Sequence, residues 1–360
     1  MKKEWKQVNL NKLLAGKAMH IAIPLFAILL GLLVGAIVMI ITGHNPIEAY
    51  GALVAGIFGS SYYFGEMIRT MTPLILGGLA VAFAYRTGLF NIGVEGQLIV
   101  GWLASVYVGA AFEAPMAIHL PLSIAAAAVA GALWALVPGI LKAKLHVHEV
   151  IVSIMMNYIA LYTANAIIRT YLLIPGERTE SIYPSASLAS PFFQSLTEYS
   201  RLHYGFLIAV AACLFMWFFL WKTTAGYELR AVGLNANAST YAGMNVSRNI
   251  ILSMAISGAF AGLAGAAEGL GTFGYMSILS GFTGVGFEGI AVALLGANTA
   301  LGVFLSAFLF GGLKTGALTM NQQTDVPTEL ISIVIALIIF FVASSYVVRL
   351  MLLKRKKGDK

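Results

Sequence analysis

Long runs of apolar residues, separated by short polar stretches, make up most of this chain of 360 residues. Runs of about 18 residues or more recur, which is long enough for a helix to cross the hydrocarbon core of a bilayer. They do not alternate with period two, as strands of a membrane β-barrel do. The pattern predicts an all-α polytopic integral membrane protein of about ten transmembrane helices. The predicted spans are 20–42, 66–86, 88–112, 117–141, 150–174, 204–222, 249–272, 284–298, 300–319 and 329–350.

The distribution of basic residues sets the orientation of these spans, because Lys and Arg concentrate in cytoplasmic loops. With a cytoplasmic N-terminus, the C-terminus is also cytoplasmic, and all but five of the 22 Lys and Arg residues lie inside. The five exceptions are Arg69, Arg169, Arg178, Arg201 and Lys314. The predicted organisation is a basic cytoplasmic tail over 1–19, a transmembrane domain over 20–350 and a second basic cytoplasmic tail over 351–360.

Composition agrees with the membrane assignment. The chain is 59% hydrophobic and 10% charged, and its 38 glycines suit close helix packing in lipid. The net charge of +7 sits mainly at the ends and in loops, so it indicates topology rather than nucleic-acid binding. The lone Cys213 can form no disulfide within the chain.

Three connecting segments differ in character. The largest outer loop, 175–203, carries prolines and acidic residues that predict a hydrated surface. The segment 43–65 is apolar and aromatic, which predicts that it lies in the outer interface or dips back into the membrane. The connector 222–249 is polar and rich in small residues, and it predicts a short helix on the cytoplasmic face that contacts a partner.

A short internal repeat suggests two inverted halves of five helices. Gly93-Val-Glu95-Gly96 opens the third span, and Gly286-Phe-Glu288-Gly289 opens the eighth. Equivalent spans in the two halves then run in opposite directions, as in many transporters whose discontinuous helices meet near the midplane.

Several polar residues fall within or beside the predicted spans. Ionisable groups at this depth usually face a cavity or a partner. Such a set could line a path for a neutral polar solute, or it could tie helices together and cap half-helices, and both interpretations remain open. The residues are Asn91, Glu95, Gln97, Asn157, Tyr158, Glu268 and Glu288.

Other chemistries find little support in the sequence. His146 and His148 are two residues apart and so do not share a helix face, and a metal site is not predicted. No G-x-x-x-x-G-K-[ST] phosphate loop is present, so any nucleotide would be held by another chain. Neither a Ser/His/Asp arrangement nor a paired-carboxylate arrangement is evident, and no cofactor is expected on this chain.

Five motifs, taken in order, resemble permease subunits of ATP-binding-cassette (ABC) importers in the ribose and branched-chain amino-acid superfamily. The fit is best to the nucleoside-importing branch, and the resemblance covers roughly residues 66–320. They are RTGLFNIGVEGQ (86–97), HEVIVSIMMNY (148–158), GYELRAVGLNANASTYAGM (226–244), SGAFAGLAG (257–265) and GFEGIAVALLG (286–296).

This resemblance implies a bacterial plasma-membrane permease that imports a nucleoside, with purine nucleosides expected. It implies a second, distinct permease chain, a cytoplasmic ATPase that holds ATP and Mg²⁺, and an external binding lipoprotein. The substrate path would include Asn91, Glu95, Gln97, Asn157, Tyr158 and Glu288. Contact with the ATPase would involve Glu228, Arg230, Ala231, Gly233, Asn235, Ala238 and Gly243.

Other functions remain as alternatives. An ion-coupled secondary transporter would also have inverted repeats and buried carboxylates. A permease of the same superfamily could instead carry a sugar, riboflavin or a related ligand. An intramembrane enzyme would need a catalytic constellation at depth, and none is evident. A purely structural role would not explain the polar residues within the spans.

Overall fold

The computed structural model describes residues 25, 26 and 28–343, and over that range the chain is α-helical without a named β-strand. The predicted tails at 1–19 and 351–360, and the outer limits of the first and last predicted spans, lie outside the described residues. The helices are α1 (Ile28–Ile41), α2 (Pro46–Phe58), α3 (Ser61–Arg86), α4 (Val94–Ala111), α5 (Met116–Leu145), α6 (Glu149–Ile167), α7 (Pro191–Leu196), α8 (Gly205–Lys222), α9 (Thr224–Leu234), α10 (Ala236–Tyr241), α11 (Val246–Ala266), α12 (Val285–Leu295), α13 (Ala300–Thr324) and α14 (Thr328–Ala343).

The all-α membrane architecture predicted from the apolar runs is confirmed. Within the described residues, each predicted span overlaps one α-helix. Seven helices of the described chain are long and apolar enough to cross a membrane: α3, α4, α5, α6, α8, α11 and α13. Both α6 and α11 continue into π-helical turns, Ile168–Leu172 and Ala267–Phe273 respectively. Helix α12, with 11 residues, is too short to cross alone.

The chain divides into two compact units, one formed by residues 57–315 and the other by residues up to 56 together with those from 316 onward. In the second unit the Tyr50 hydroxyl donates to the Leu32 carbonyl oxygen at 2.7 Å. A Cβ atom at Gly56 would lie 2.5 Å from the Thr319 side chain. Helix α2 therefore packs closely against the end of α13.

Small residues hold the centre of the larger unit together. Helix α11 packs on α4 and α5, and a Cβ atom at Gly131 would collide with the Gly258 carbonyl oxygen. At Gly262 it would collide with the carbonyl oxygen of Ala127. In lipid there is no hydrophobic driving force for helices to associate. The close approach of these backbones therefore stabilises the helix pairs through van der Waals contact.

Helices α4 and α12 meet head to head. A Cβ atom at Gly286 would lie 2.5 Å from the Glu95 Cα atom, so the first turns of the two helices touch. At the other end of α4, the Gly109 carbonyl oxygen accepts from Tyr183 of the outer loop. Beyond the end of α12, the Asn298 carbonyl oxygen accepts from Arg86 at the end of α3 that is predicted to be cytoplasmic. The two helices therefore run in opposite directions from a common start inside the protein.

The outer loop 175–203 is exposed at about half of its residues and packs against the protein with the rest. It contains α7 and short extended pairings, in which Thr179 N–H donates to Met276 and Leu188 N–H donates to Leu270. Ser190 and Ser200 in the loop are fully buried. The loop therefore packs onto the outer end of α11, while its acidic residues Glu177, Glu180 and Glu198 remain at the surface.

Candidate functional site

A buried polar network surrounds the start of α4. The Asn91 side-chain amide donates to Gln97 Oε1 at 2.9 Å and to Ser257 Oγ at 2.8 Å. Its oxygen accepts from the Gly93 N–H at 2.9 Å. Ser257 in turn donates to the Ala80 carbonyl oxygen at 2.6 Å. The segment between α3 and α4 is thereby tied to α11 and to α3.

Asn157 of α6 closes the network from the other side. Its side-chain oxygen accepts from the Gly96 N–H at 2.8 Å, and its amide donates to the Ile92 carbonyl oxygen at 3.0 Å. A Cβ atom at Gly96 would lie 2.9 Å from the Asn157 Cα atom, so glycine permits this approach. Asn157 therefore acts as a helix cap for α4 supplied by another helix.

Glu95 performs the equivalent task for α12. Its Oε1 accepts from the Thr283 hydroxyl at 2.6 Å and from the Gly284 N–H at 3.0 Å, while Oε2 accepts from the Gly286 N–H at 2.7 Å. The carboxylate lies between two helix N-termini, whose partial positive charges favour an anion there. We call Asn91, Glu95, Gln97, Asn157 and Ser257 the closed network.

The structure thus places four predicted path residues inside the protein. Asn91, Glu95, Gln97 and Asn157 are at most 1% exposed and are hydrogen-bonded within the chain. Tyr158 lies elsewhere, half exposed and edge-on to Phe282 with ring centroids 5.0 Å apart. The geometry gives the first four a structural task, and their role in the path stays a prediction.

Glu288 occupies a different environment. It pairs with Lys314 of α13, with both carboxylate oxygens within 2.9 Å of the ammonium nitrogen. The side chains are 28% and 34% exposed, so the pair opens onto the surface of this chain. The two copies of the G-x-E-G motif therefore both open a helix, but their glutamates bind different partners.

More charged residues lie toward the outer end of α3. Glu66 accepts from Arg69 Nε at 2.8 Å and from the N–H and the side chain of Arg201 at 2.7 and 3.1 Å. Glu268, on the π-helical turn after α11, interacts electrostatically with Arg69, Arg201 and Lys314. We call these charged residues the outer cluster: Glu66, Arg69, Arg201, Glu268, Glu288 and Lys314.

His203 lies beside this cluster and is almost completely buried. Its Nδ1 accepts from the Gly205 N–H at 3.1 Å, so in the neutral ring the proton is on Nε2. That atom has no hydrogen-bond partner among the described residues. Burial lowers the pKa of His203 to about 4, and the nearby Arg69 guanidinium adds to this effect while Glu66 opposes it.

The predicted cytoplasmic connector forms α9 and α10, and its first half packs inward. A Cβ atom at Gly233 would lie 2.8 Å from the Thr87 carbonyl carbon, so α9 rests on the turn between α3 and α4. Glu228 accepts from the Asn249 side chain at 3.0 Å. The Arg230 guanidinium lies 4.1 Å from the centre of the Trp221 ring. Ala231 is partly buried.

The second half of the connector faces outward. Asn235, Ala238 and Gly243 are exposed, and the Asn235 side chain caps α10 by accepting from the Ala238 N–H at 3.0 Å. Leu234 and Tyr241, which sequence reasoning did not single out, are 88% and 94% exposed. Other large apolar residues of the connector, such as Leu229 and Val232, are buried, so the sequence alone carries no signal that separates Leu234 and Tyr241 from them.

The histidine pair His146 and His148 lies between α5 and α6. Glu149 next to it pairs with Lys142 at 2.8 Å. Within the described part of the chain, no group of three or more His, Cys, Asp or Glu residues could hold a metal ion.

Comparison with known proteins adds independent information. A family model described as "Branched-chain amino acid transport system / permease component" matches residues 63–343. The guanosine ABC transporter permease protein NupP of Bacillus subtilis is 60% identical, covering 94% of this chain and 97% of that protein.

Two further relatives also match along most of their length. The nucleoside ABC transporter permease protein NupB of Lactococcus lactis is 40% identical over 96% of this chain and 99% of its own. The glucose ABC transporter permease protein TsgB13 of Haloferax volcanii is 34% identical over 89% and 87%. No solved structure matches.

Proposed function

Because this chain belongs to the permease family of branched-chain amino acid transport systems, we propose that it is the membrane-spanning subunit of an ABC importer for nucleosides. The observation that carries this proposal is the 60% identity to a guanosine permease along almost the whole of both chains. A nucleoside permease at 40% identity supports the same substrate class. A purine nucleoside is the solute that we would test first.

The chain is a transport subunit of the bacterial cell membrane, and ATP hydrolysis belongs to a separate chain. Its family implies a cytoplasmic ATPase and a solute-binding protein as partners. We further propose that ATP and Mg²⁺ are held by that ATPase, that the external binding protein is a lipoprotein, and that a second, distinct permease chain completes the path. A second permease would cover the partly exposed Glu288–Lys314 pair, which is unsuited to lipid.

The connector would transmit ATPase movement to the helices around the path. Helices α9 and α10 are covalently joined to α8 and α11, and Gly233 rests on the Thr87 turn. The adjacent Arg86 donates to the carbonyl oxygens of Ala297 and Asn298 beyond the end of α12. Displacement of α9 would therefore act on the turn that leads into α4 and on the residues that follow α12.

The decisive experiment is reconstitution of this chain with the ATPase, binding protein and second permease encoded beside it. We expect ATP-dependent uptake of guanosine into proteoliposomes, with no effect of an uncoupler. Uptake by this chain alone, abolished by an uncoupler and indifferent to ATP, would establish the ion-coupled alternative. A panel containing adenosine, uridine, glucose and riboflavin tests the substrate class, and glucose is included because one relative is a glucose permease.

The connector can be tested in the same system. We expect Gly233→Trp and Arg230→Glu to abolish uptake, because both substitutions disturb the packing of α9 against the Thr87 turn and Trp221. Protein level and solute binding by the binding protein should stay normal. A double variant of the exposed surface, Leu234→Ala with Tyr241→Ala, is the matched comparison. Both side chains are almost fully exposed, so their removal should not disturb packing within the chain. This double variant should weaken ATPase binding about tenfold or more without changing the melting temperature. Normal uptake in all three variants would place the ATPase contact elsewhere.

A further inference from the structure

The outer cluster lies at a depth where lipid would surround an unpartnered helix. At 1.5 Å per residue, Arg69 is roughly 25 Å along α3 from the cytoplasmic Arg86, and Lys314 is roughly 21 Å along α13 from Ala300. A hydrocarbon core is about 30 Å thick. Both cations are therefore in the outer part of the membrane rather than in the external water.

Several groups of the cluster are open at this depth. Lys314 and Glu288 are 34% and 28% exposed, and Arg69 is 16% exposed. Charged side chains within the hydrocarbon region face a water-filled cavity or another protein surface, because exposure to lipid costs at least a few kcal/mol. This face of α3, α12 and α13 is consequently a wall of a hydrated space or of a protein interface.

Glu268 is the member of the cluster that retains unused hydrogen-bonding capacity. It is about nine-tenths buried and receives a hydrogen bond from Thr272 one turn later. Among the described residues it forms no ion pair, although Arg69, Arg201 and Lys314 are close enough to interact with it electrostatically. A carboxyl group offers two oxygens with several acceptor sites, and most of these are free here.

The remaining residues suit an uncharged solute with hydroxyl groups. The outer cluster contains three carboxyl groups and three cationic side chains, so it presents no excess of either residue type. Thr70 and Thr315 approach to 3.5 Å at its edge and add hydroxyl groups. An anionic or cationic solute would meet groups of both signs, whereas a polyhydroxylated neutral molecule could bond to either.

We propose that the outer cluster is a solute-contact site of the translocation path, and that Glu268 selects nucleosides by accepting hydrogen bonds from the vicinal hydroxyl groups of the ribose. This inference rests on the proposed function of nucleoside import. It differs from the sequence expectation, which placed the path at the closed network, and it retains only Glu288 from that set.

The test compares guanosine with 2′,3′-dideoxyguanosine in the reconstituted importer. Each solute is supplied well above its measured dissociation constant for the binding protein, so that delivery is saturated. The wild type should import guanosine faster than the dideoxy analogue. Glu268→Gln should lower guanosine uptake about tenfold, because the amide offers one acceptor oxygen where the carboxyl group offers two, and should leave uptake of the analogue unchanged.

The matched control is Glu180→Gln, which alters an exposed carboxylate of the outer loop and should change neither rate. Melting temperatures of all variants are measured in the same detergent. Equal loss of both uptake rates in Glu268→Gln, or retained discrimination between the two solutes, would overturn the role of Glu268 while leaving nucleoside import intact. Failure of the wild type to import any nucleoside would overturn the proposed function and this inference together.

Discussion

The closed network and the outer cluster are both polar regions inside membrane-spanning helices, yet they are built differently. In the closed network every side chain is at most 1% exposed, and its amides and carboxylate bond to backbone groups of neighbouring segments. In the outer cluster Arg69, Arg201, Glu288 and Lys314 are partly exposed, and the buried Glu268 keeps most of its acceptor sites free. The difference separates polar residues that hold the fold from polar residues that can meet a solute.

The comparison shows why residue type alone does not indicate function in a membrane. Glu95 and Glu288 occupy the same position of a repeated motif, but one caps a helix of the opposite half and the other pairs with a lysine at the surface. A buried group whose hydrogen bonds are all made within the protein has no free donor or acceptor for a ligand. An exposed group with unused donors or acceptors can bind one.

Replacement of Glu95 should produce the largest effect. Glu95→Ala leaves the N–H groups of Gly284 and Gly286 without acceptors inside the protein. Each unsatisfied buried donor costs about 1–3 kcal/mol, so the folded state should lose about 3–5 kcal/mol. We expect little folded protein in the membrane and a strongly lowered melting temperature in detergent.

Two variants sharpen this test. Glu95→Gln keeps the shape and one acceptor oxygen, and it should fall between the wild type and Glu95→Ala. Glu113→Gln alters an exposed carboxylate between α4 and α5 and should leave the melting temperature unchanged. A stable Glu95→Ala protein that fails only in transport would mean that Glu95 belongs to the path, and the distinction between the two regions would fail.

Acidic external pH should loosen the region beside the outer cluster. The pKa of His203 is about 4 in the folded protein, below the ordinary value of about 6.5 for an exposed histidine. Between these values the opened state binds a proton that the folded state does not. The contribution of His203 to the free energy of opening this region is therefore fully present above about pH 6.5. It declines as the pH falls toward 4, by at most about 3 kcal/mol.

Limited proteolysis of the outer loop 175–203 as a function of pH measures this effect. In the wild type, cleavage should accelerate as the pH falls below about 6.5, because the protonated ring cannot return to its buried site. His203→Gln and His203→Phe, compared with their own rates at pH 7.5, should lose most of that acceleration. The same acid dependence in all three proteins would assign the effect to other groups.

Much of the fold could be predicted from the sequence, because apolar run length and the distribution of Lys and Arg are direct consequences of the bilayer. The head-to-head start of α4 and α12 followed from the repeated motif. The packing of the buried residues of the 175–203 loop did not, since its prolines and acidic residues are equally compatible with a fully solvated surface. Its packing depends on long-range partners such as Met276 and Leu270, which the local sequence does not specify.

The candidate site was less predictable. The sequence identified Asn91, Glu95 and Asn157 as polar groups at depth, but their satisfied hydrogen bonds come from segments far along the chain. Lys314 was assigned to the outer side from charge counting, and its pairing with Glu288 became visible only when α12 and α13 were placed together. The helical character of the connector was predicted, and the structure shows α9 and α10 there, whereas its inward and outward faces could not be separated without α3 and α11. Its place on the cytoplasmic face stays a prediction.

The smallest perturbation provides the most direct comparison of the two regions. Cys213 is the single cysteine of the chain, so a Cys213→Ala background allows reporter thiols to be placed one at a time. Thr70→Cys lies at the partly exposed edge of the outer cluster, and Ser153→Cys lies fully buried beside the closed network. The Ser153 hydroxyl has no hydrogen-bond partner among the described residues, so its replacement by a thiol removes no bond.

A charged, membrane-impermeant methanethiosulfonate should modify Thr70→Cys at least about tenfold faster than Ser153→Cys in the assembled importer, because thiol reactivity follows water access. Saturating guanosine with its binding protein should slow modification of Thr70→Cys if solute passes this wall, and should not change Ser153→Cys. Equal rates at the two positions would show that the outer cluster is as closed as the network around α4. Fast modification of Ser153→Cys alone would show that the hydrated path lies near the start of α4, as the resemblance to the family predicted.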